Sequence, residues 1–179
     1  MRIIAGTAKG HTIKAPKGMS TRPTLDRVRE SVFNVLSNKG LVQKNVLDLF
    51  SGTGAVAIEA LSRGASSAVA VDCSTAKLIR ENAEHCRVAD RLKILPVTLS
   101  QAAHHLEGQQ FDYIFSDPPY EKGYIEVVLK LVIQGDLLAP NGILLLERHK
   151  DEPLVLPDNW ECTKEQKFGY TIVSYCVRS

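Results

Sequence analysis

Five short apolar runs, at residues 46–50, 68–71, 92–97, 111–116 and 142–147, alternate along this chain with stretches of helical character. The intervening segments are "AVAIEALSRG", ended by Gly64, then residues 75–87, then "SQAAHHL", then residues 124–133. A strand without polar alternation is one that is covered on both faces. Strands separated by helices pair in parallel, so the pattern predicts an α/β domain with a doubly wound parallel sheet. The tail breaks the pattern. "WECTKEQKFGYTIVSYCV" is two extended runs that turn near residues 167–169, which predicts an antiparallel hairpin closing the sheet edge.

Ahead of the alternation, residues 2–5 and 11–14 are β-prone and separated by Gly6 and Gly10, as in a hairpin. After the turn-rich "APKGMSTRPT", Thr24 is placed to cap a helix. Its apolar stripe is Leu25, Val28, Val32, Val35 and Leu36, and Asp26 falls in its first turn. The expected organisation is a basic N-terminal β-hairpin extension over residues 1–23 and a main domain over 24–179. Charge is uneven. Residues 1–44 carry nine Lys or Arg against Asp26 and Glu30, while the remainder carries 13 basic against 18 acidic residues. A basic arm on a mildly acidic body suits a polyanionic partner; a solvated basic face explains the charge equally well.

The four cysteines form no C-x-x-C pair, and no histidine lies at metal-site spacing from them, so reduced thiols are expected and no metal site. Neither the start of the chain nor any later segment reads as a signal peptide or a membrane span. A cytoplasmic, monomeric protein is expected.

Between the first strand and its helix lies "DLFSGTGAVA", with Gly52 and Gly54 at the carboxyl end of the strand. Open α/β sheets bind ligands there, where glycines allow close backbone approach. "GTGAVA" fits the dinucleotide fingerprint G-x-G-x-x-A. Asp72, about twenty residues on, suits a ribose diol, so an NAD-dependent oxidoreductase is one reading. Asp48 tilts the balance. A carboxylate aimed at the crevice repels a pyrophosphate and welcomes a sulfonium or an amino-acid ammonium, which favours S-adenosylmethionine.

The fourth strand ends in "SDPPY". It is expected beside the first, which brings Asp117 next to the reactive end of the cofactor. Pro118 and Pro119 fix their own φ and keep the preceding residues extended, so the tip is a rigid loop presenting Asp117 and the Pro118 carbonyl as acceptors. An exocyclic amine on a nucleobase is a poor nucleophile because its lone pair is delocalised into the ring. Two acceptors on its two N–H groups turn that lone pair toward an incoming methyl group, and the ring of Tyr120 can stack on the base.

These stretches resemble motifs I and IV of the class I, seven-stranded, S-adenosylmethionine-dependent methyltransferases that modify amino groups. "RIIAGTAKGHTIKAP", "RPTLDRVRESVFNVL" and "KFGYTIVSY" narrow the resemblance to the bacterial RsmD family, which methylates guanine N2 in 16S ribosomal RNA. It covers nearly the whole chain. The resemblance implies a Rossmann-like seven-stranded sheet with an antiparallel C-terminal hairpin. It implies Asp48, Ser51, Gly52 and Gly54 around the methionine part of the cofactor, Asp72 on the ribose, and Asp117, Pro118, Pro119 and Tyr120 around the guanine. Arg22, Thr24 and Arg27 are implied near the cofactor and RNA entrance, with Lys9, Lys14 and Arg29 on phosphates. The implied partner is ribosomal RNA within the small subunit or an assembly intermediate.

Two departures stand out. Where the family places Asp or Asn after strand three, residues 97–100 read Val-Thr-Leu-Ser, leaving a backbone group or Thr98 for the adenine. The helix after Asp72 starts slightly short, with Ser74 as its expected cap. Within the same chemistry, an adenine-N6 or cytosine-N4 DNA methyltransferase fits the amine clamp, although a chain this short has no separate target-recognition domain. A non-catalytic RNA-binding protein would not need both motifs intact.

Overall fold

The computed structural model describes residues 1–16, 23–120 and 122–179. Its elements run α1 (Pro23–Lys39), β1 (Asn45–Leu49), α2 (Ala55–Ser62), β2 (Ser67–Val71), α3 (Ala76–His85), β3 (Leu92–Leu95), α4 (Leu99–Leu106), β4 (Phe111–Ser116), α5 (Tyr124–Gln134), β5 (Leu138–His149), β6 (Trp160–Phe168) and β7 (Thr171–Arg178). The strands form a seven-stranded sheet in the order β3-β2-β1-β4-β5-β7-β6. β1 to β5 are parallel, and β7 lies antiparallel between β5 and β6. This is the Rossmann-like seven-stranded arrangement with an antiparallel C-terminal hairpin that the sequence predicts.

The inner strands β1, β2 and β4 are buried on both faces because each feeds two cores, whereas the edge strand β3 is only partly covered. Along β1, Val46 packs with α1, α2 and α3, whereas Leu47 and Leu49 pack with α4 and α5. Asp48 falls on the α1–α3 side of that alternation, where an apolar residue would otherwise sit. Departures from the expected boundaries have local causes. β1 ends at Leu49 because Phe50 turns into the left-handed region, φ 61°. β3 stops at Leu95 because Pro96 has no N–H for the ladder. "APNG" in β5, turn-like in sequence, is accommodated as a bulge: Phe111 pairs with Leu138, but Tyr113 already pairs with Ile143.

The N-terminal segment folds back through one antiparallel bridge, Arg2 to Thr12, and buries Ile3, Ala8 and Ile13 in the same core as α1, α2 and α3. Helix α2 holds it in place. The buried Glu59 carboxylate accepts the amides of Ile4 (2.8 Å) and Ala5 (3.0 Å), and Ser62 bonds the Ala5 carbonyl and the Ala8 amide. Gly6 makes this approach possible. Its φ is 83°, and a Cβ there would lie 1.8 Å from the Ser62 carbonyl oxygen. Further along, Asn82 of α3 grips the backbone of Lys14 through both its N–H and its C=O. Residues 15 and 16 therefore pass over the carboxyl ends of the strands.

α1 begins at Pro23, whose fixed φ suits the first helical position, so the helix starts one residue before the expected cap. Arg22 and the side chain of Thr24 lie outside the described residues. Among the described residues, no helix is long and apolar enough to cross a membrane.

Candidate active site

The sheet reverses its winding between β1 and β4, and at that switch point the strands' carboxyl ends open into a cavity of about 810 Å³. Its floor comes from the loop after β1. Ser51 donates to Asp48 Oδ2 at 2.6 Å, and the Ala57 amide at the start of α2 donates to the same oxygen at 3.3 Å. Asp48 is 3% exposed. Burial pushes its carboxyl up to about 7, against the two hydrogen bonds, and the nearby Asp72 charge adds to the rise. Gly54, at φ 80°, takes the chain into α2, and a Cβ there would crowd Ile79 at 3.0 Å. Asp72 ties two loops together: Oδ2 accepts the Gly52 amide at 2.9 Å, and Oδ1 accepts the amides of Ser74 and Thr75. Thr75, not Ser74, is the cap residue of α3.

β4 pairs with β1 along Tyr113 to Ser116, so Asp117 emerges beside the β1 loop. The neighbouring β5 is in register, with Ser116 opposite Leu146, which brings Glu147 alongside Asp117. The two carboxyl groups share a hydrogen bond. Asp117 is open to the cavity yet closely surrounded by protein. That crowding, with the charges of Glu147 and Asp48 nearby, raises its pKa well above the carboxylate range. Burial raises Glu147 as well. Tyr120 is locked in place because its hydroxyl bonds both Glu147 Oε1 and Thr171 Oγ1 at 2.8 Å. Pro118 is buried and Pro119 exposed.

The cavity's remaining wall is α1, seated by Phe33 stacking on Phe115 with ring centroids 5.6 Å apart. Arg29, one turn earlier, faces the cavity and is 7% exposed. It was expected on phosphate at the outer surface. Its spacing to Phe33 and Leu36 puts it on the buried side of the helix instead. Lys9, Lys14 and Arg27 are exposed, with Lys14 Nζ 3.3 Å from Glu81. Thr98 does not line the cavity; its hydroxyl is engaged in the capping box of α4 with Gln101.

Glu147 was missed in sequence, although it ends the apolar run "GILLLE" at the same height as Asp117. Register is what brings the two together, and the bulge in β5 hides that register from simple counting.

Among the described residues, four acidic side chains line the cavity, Asp48, Asp72, Asp117 and Glu147, with Arg29 the one basic side chain. A pyrophosphate would meet repulsion there; a molecule with a sulfonium and an ammonium meets complementary charge. Among the described residues, the buried side-chain atoms without a hydrogen-bond partner are Arg29 Nε and Nη1, Thr75 Oγ1 and Ser116 Oγ. All three residues line this cavity, as expected of a site shaped for a polar ligand. The residues fit S-adenosylmethionine, the cofactor of this class of enzyme.

Fold and site together define a methyltransferase of the seven-stranded class I type. The family model described as "Conserved hypothetical protein 95" matches residues 1–177, and this chain belongs to that family. It is 32% identical over 179 residues to the Haemophilus influenzae protein named Ribosomal RNA small subunit methyltransferase D, covering 98% of this chain and 91% of that one. The Escherichia coli K12 protein of the same name is 30% identical over 172 residues, covering 94% and 85%. A solved Escherichia coli chain described as a candidate methyltransferase, yhhF, superposes with a TM-score of 0.86 at 29% identity, covering 99% of this chain and 97% of its own.

Proposed function

We propose that this protein methylates the exocyclic N2 of a guanine in small-subunit ribosomal RNA. The observation that carries this reading is the Asp117-Pro118-Pro119-Tyr120 tip, held rigid at the mouth of the cofactor cavity with Tyr120 bonded to Glu147 and Thr171. Relatives named Ribosomal RNA small subunit methyltransferase D support the RNA class of the substrate. The exposed Lys9, Lys14 and Arg27 suit phosphate contacts on the same side of the sequence.

When bound, S-adenosylmethionine supplies an electrophilic methyl carbon whose transfer to nitrogen leaves the carbon–sulfur electron pair on sulfur. Asp117 and the Pro118 carbonyl accept the two N–H bonds of the guanine amine and aim its lone pair into the cavity. Tyr120 stacks on the base and holds it at that depth. The methylated nitrogen then sheds a proton to the Asp117–Glu147 pair. Burial raises the pKa of both carboxyl groups, which makes the pair a readier proton acceptor than an ordinary exposed carboxylate. A strong base is unnecessary, because an alkylated aryl-type ammonium is far more acidic than a carboxylic acid.

Asp117→Asn tests the role of the pair. The variant keeps one acceptor but cannot take the proton, and it should bind S-adenosylmethionine normally in a calorimetric titration. Methyl transfer should fall by about 100-fold or more. Transfer at the wild-type rate would sink the assignment.

A further inference from the structure

Arg29 is the residue whose surroundings the reading above leaves unexplained. Its side chain is 6% exposed, and Nη2 alone is engaged, donating to the Arg2 carbonyl and to Asp26 Oδ1 at 3.4 Å. Nε and Nη1 are buried with no partner among the described residues. A buried charge with idle donors is costly, and proteins normally pair it. The buried anion whose charge acts on Arg29, Glu59, has no bond to it. Glu59 already accepts the amides of Ile4 and Ala5 and the Nε of Arg63, the last at 2.8 Å. Burial works to lower the Arg29 pKa, while Glu59 and Asp26 act to keep it charged. The guanidinium is thus a cation held at the wall of a cavity with donors to spare.

The ligand that this cavity fits has a matching need. S-adenosylmethionine carries two cationic groups, a sulfonium and an ammonium, and one anion, its α-carboxylate. Asp48, Asp72, Asp117 and Glu147 welcome the cations and would repel the carboxylate. Among the described residues, Arg29 is the one basic side chain on the lining that can receive it. We propose that Arg29 anchors the methionine carboxylate of S-adenosylmethionine through Nε and Nη1, so that the cofactor's zwitterion is read by Arg29 on α1 and Asp48 on β1 from opposite ends. The inference rests on the cofactor reading but not on the identity of the methyl acceptor. It moves Arg29 from the RNA surface to the cofactor, and it gives α1 a reason to close the cavity.

The test uses two probes that differ only in the carboxylate: S-adenosylmethionine and decarboxylated S-adenosylmethionine. Both are titrated calorimetrically into the full chain, as wild type and as Arg29→Met. Wild type should prefer the carboxylated probe by about 10- to 100-fold, the range of a charge-assisted hydrogen-bonded pair. In Arg29→Met the preference should collapse, by weaker binding of S-adenosylmethionine and unchanged or tighter binding of the decarboxylated probe. Arg29→Met gives up the Nη2 bonds to the Arg2 carbonyl and Asp26, so unfolding of each variant in denaturant is followed alongside, and the comparison between the two probes within one folded variant cancels any general loss of stability. An Arg29→Lys variant should retain part of the preference. Preference undiminished in Arg29→Met would overturn the proposal, as would a variant that loses RNA affinity alone. If wild type binds neither probe, the cofactor reading itself fails, and the inference with it.

Discussion

Asp48 is an acid whose ionisation the fold resists without abolishing it. It is 3% exposed, and burial lifts its pKa to about 7. In the unfolded chain an aspartate titrates near 3.9. Because the folded value is the higher one, the folded protein keeps this proton over a range where the unfolded chain has released it. Asp48 therefore favours the folded state most at low pH, and that advantage drains away as pH rises from about 4 to about 7. A gap of roughly three pH units corresponds to about 4 kcal/mol at pH 8, an upper figure because the cavity admits water. Asp48→Asn keeps an oxygen to accept the Ser51 hydroxyl and removes the titration. Guanidinium unfolding of both ligand-free proteins at pH 5, 6, 7 and 8 reads the difference directly. By the same arithmetic the variant should gain about 1.5 kcal/mol at pH 5, progressively more up to pH 7, and level off above. Asp117 and Glu147, also raised, add to the wild-type slope, but they are present in both proteins. A stability difference that does not change with pH would refute the reasoning, because it would mean that the carboxyl is hydrated or paired in the folded chain.

Two further substitutions probe the frame around the site. Gly6→Ala drives a Cβ to within 1.8 Å of the Ser62 carbonyl at a φ of 83°, so it should destabilise the fold by about 2–4 kcal/mol in denaturant; an unchanged midpoint would mean that the N-terminal segment is not seated on α2. Tyr120→Phe keeps the ring but loses the hydroxyl's bonds to Glu147 and Thr171, and should lower kcat by roughly tenfold, whereas Tyr120→Ala, which also loses stacking, should lower it by roughly 100-fold or more; equal losses would assign the ring no role.

The fold was legible because its information is local. Runs such as 68–71 have no polar alternation, and only a strand covered on both faces calls for that. The glycine loop and the tip at Asp117 were legible for a related reason: short-range backbone demands select Gly52, Gly54, Pro118 and Pro119. What escaped depends on long-range placement. Glu147 becomes a partner of Asp117 through the β4–β5 register, set by a bulge that reads in sequence as a turn. Arg29 looks like one more basic residue of the N-terminal segment until α1 is docked through Phe33 on Phe115, and then its side chain points inward. Thr98 reads in sequence as a candidate to meet an adenine, yet its hydroxyl is spent on the first turn of α4. The basic N-terminal segment reads as an arm, but Ile3, Ala8 and Ile13 bind it into the core, through bonds to Glu59 and Ser62 that no local pattern announces.

The substrate is tested most directly by the nucleoside that receives the methyl group. Labelled S-adenosylmethionine is supplied with small ribosomal subunits lacking the modification, naked ribosomal RNA or duplex DNA, and each product is digested to nucleosides. Label in N2-methylguanosine from a ribosomal substrate is the predicted result. Label in N6-methyladenine or N4-methylcytosine from DNA would keep the amine clamp and contradict the proposed substrate.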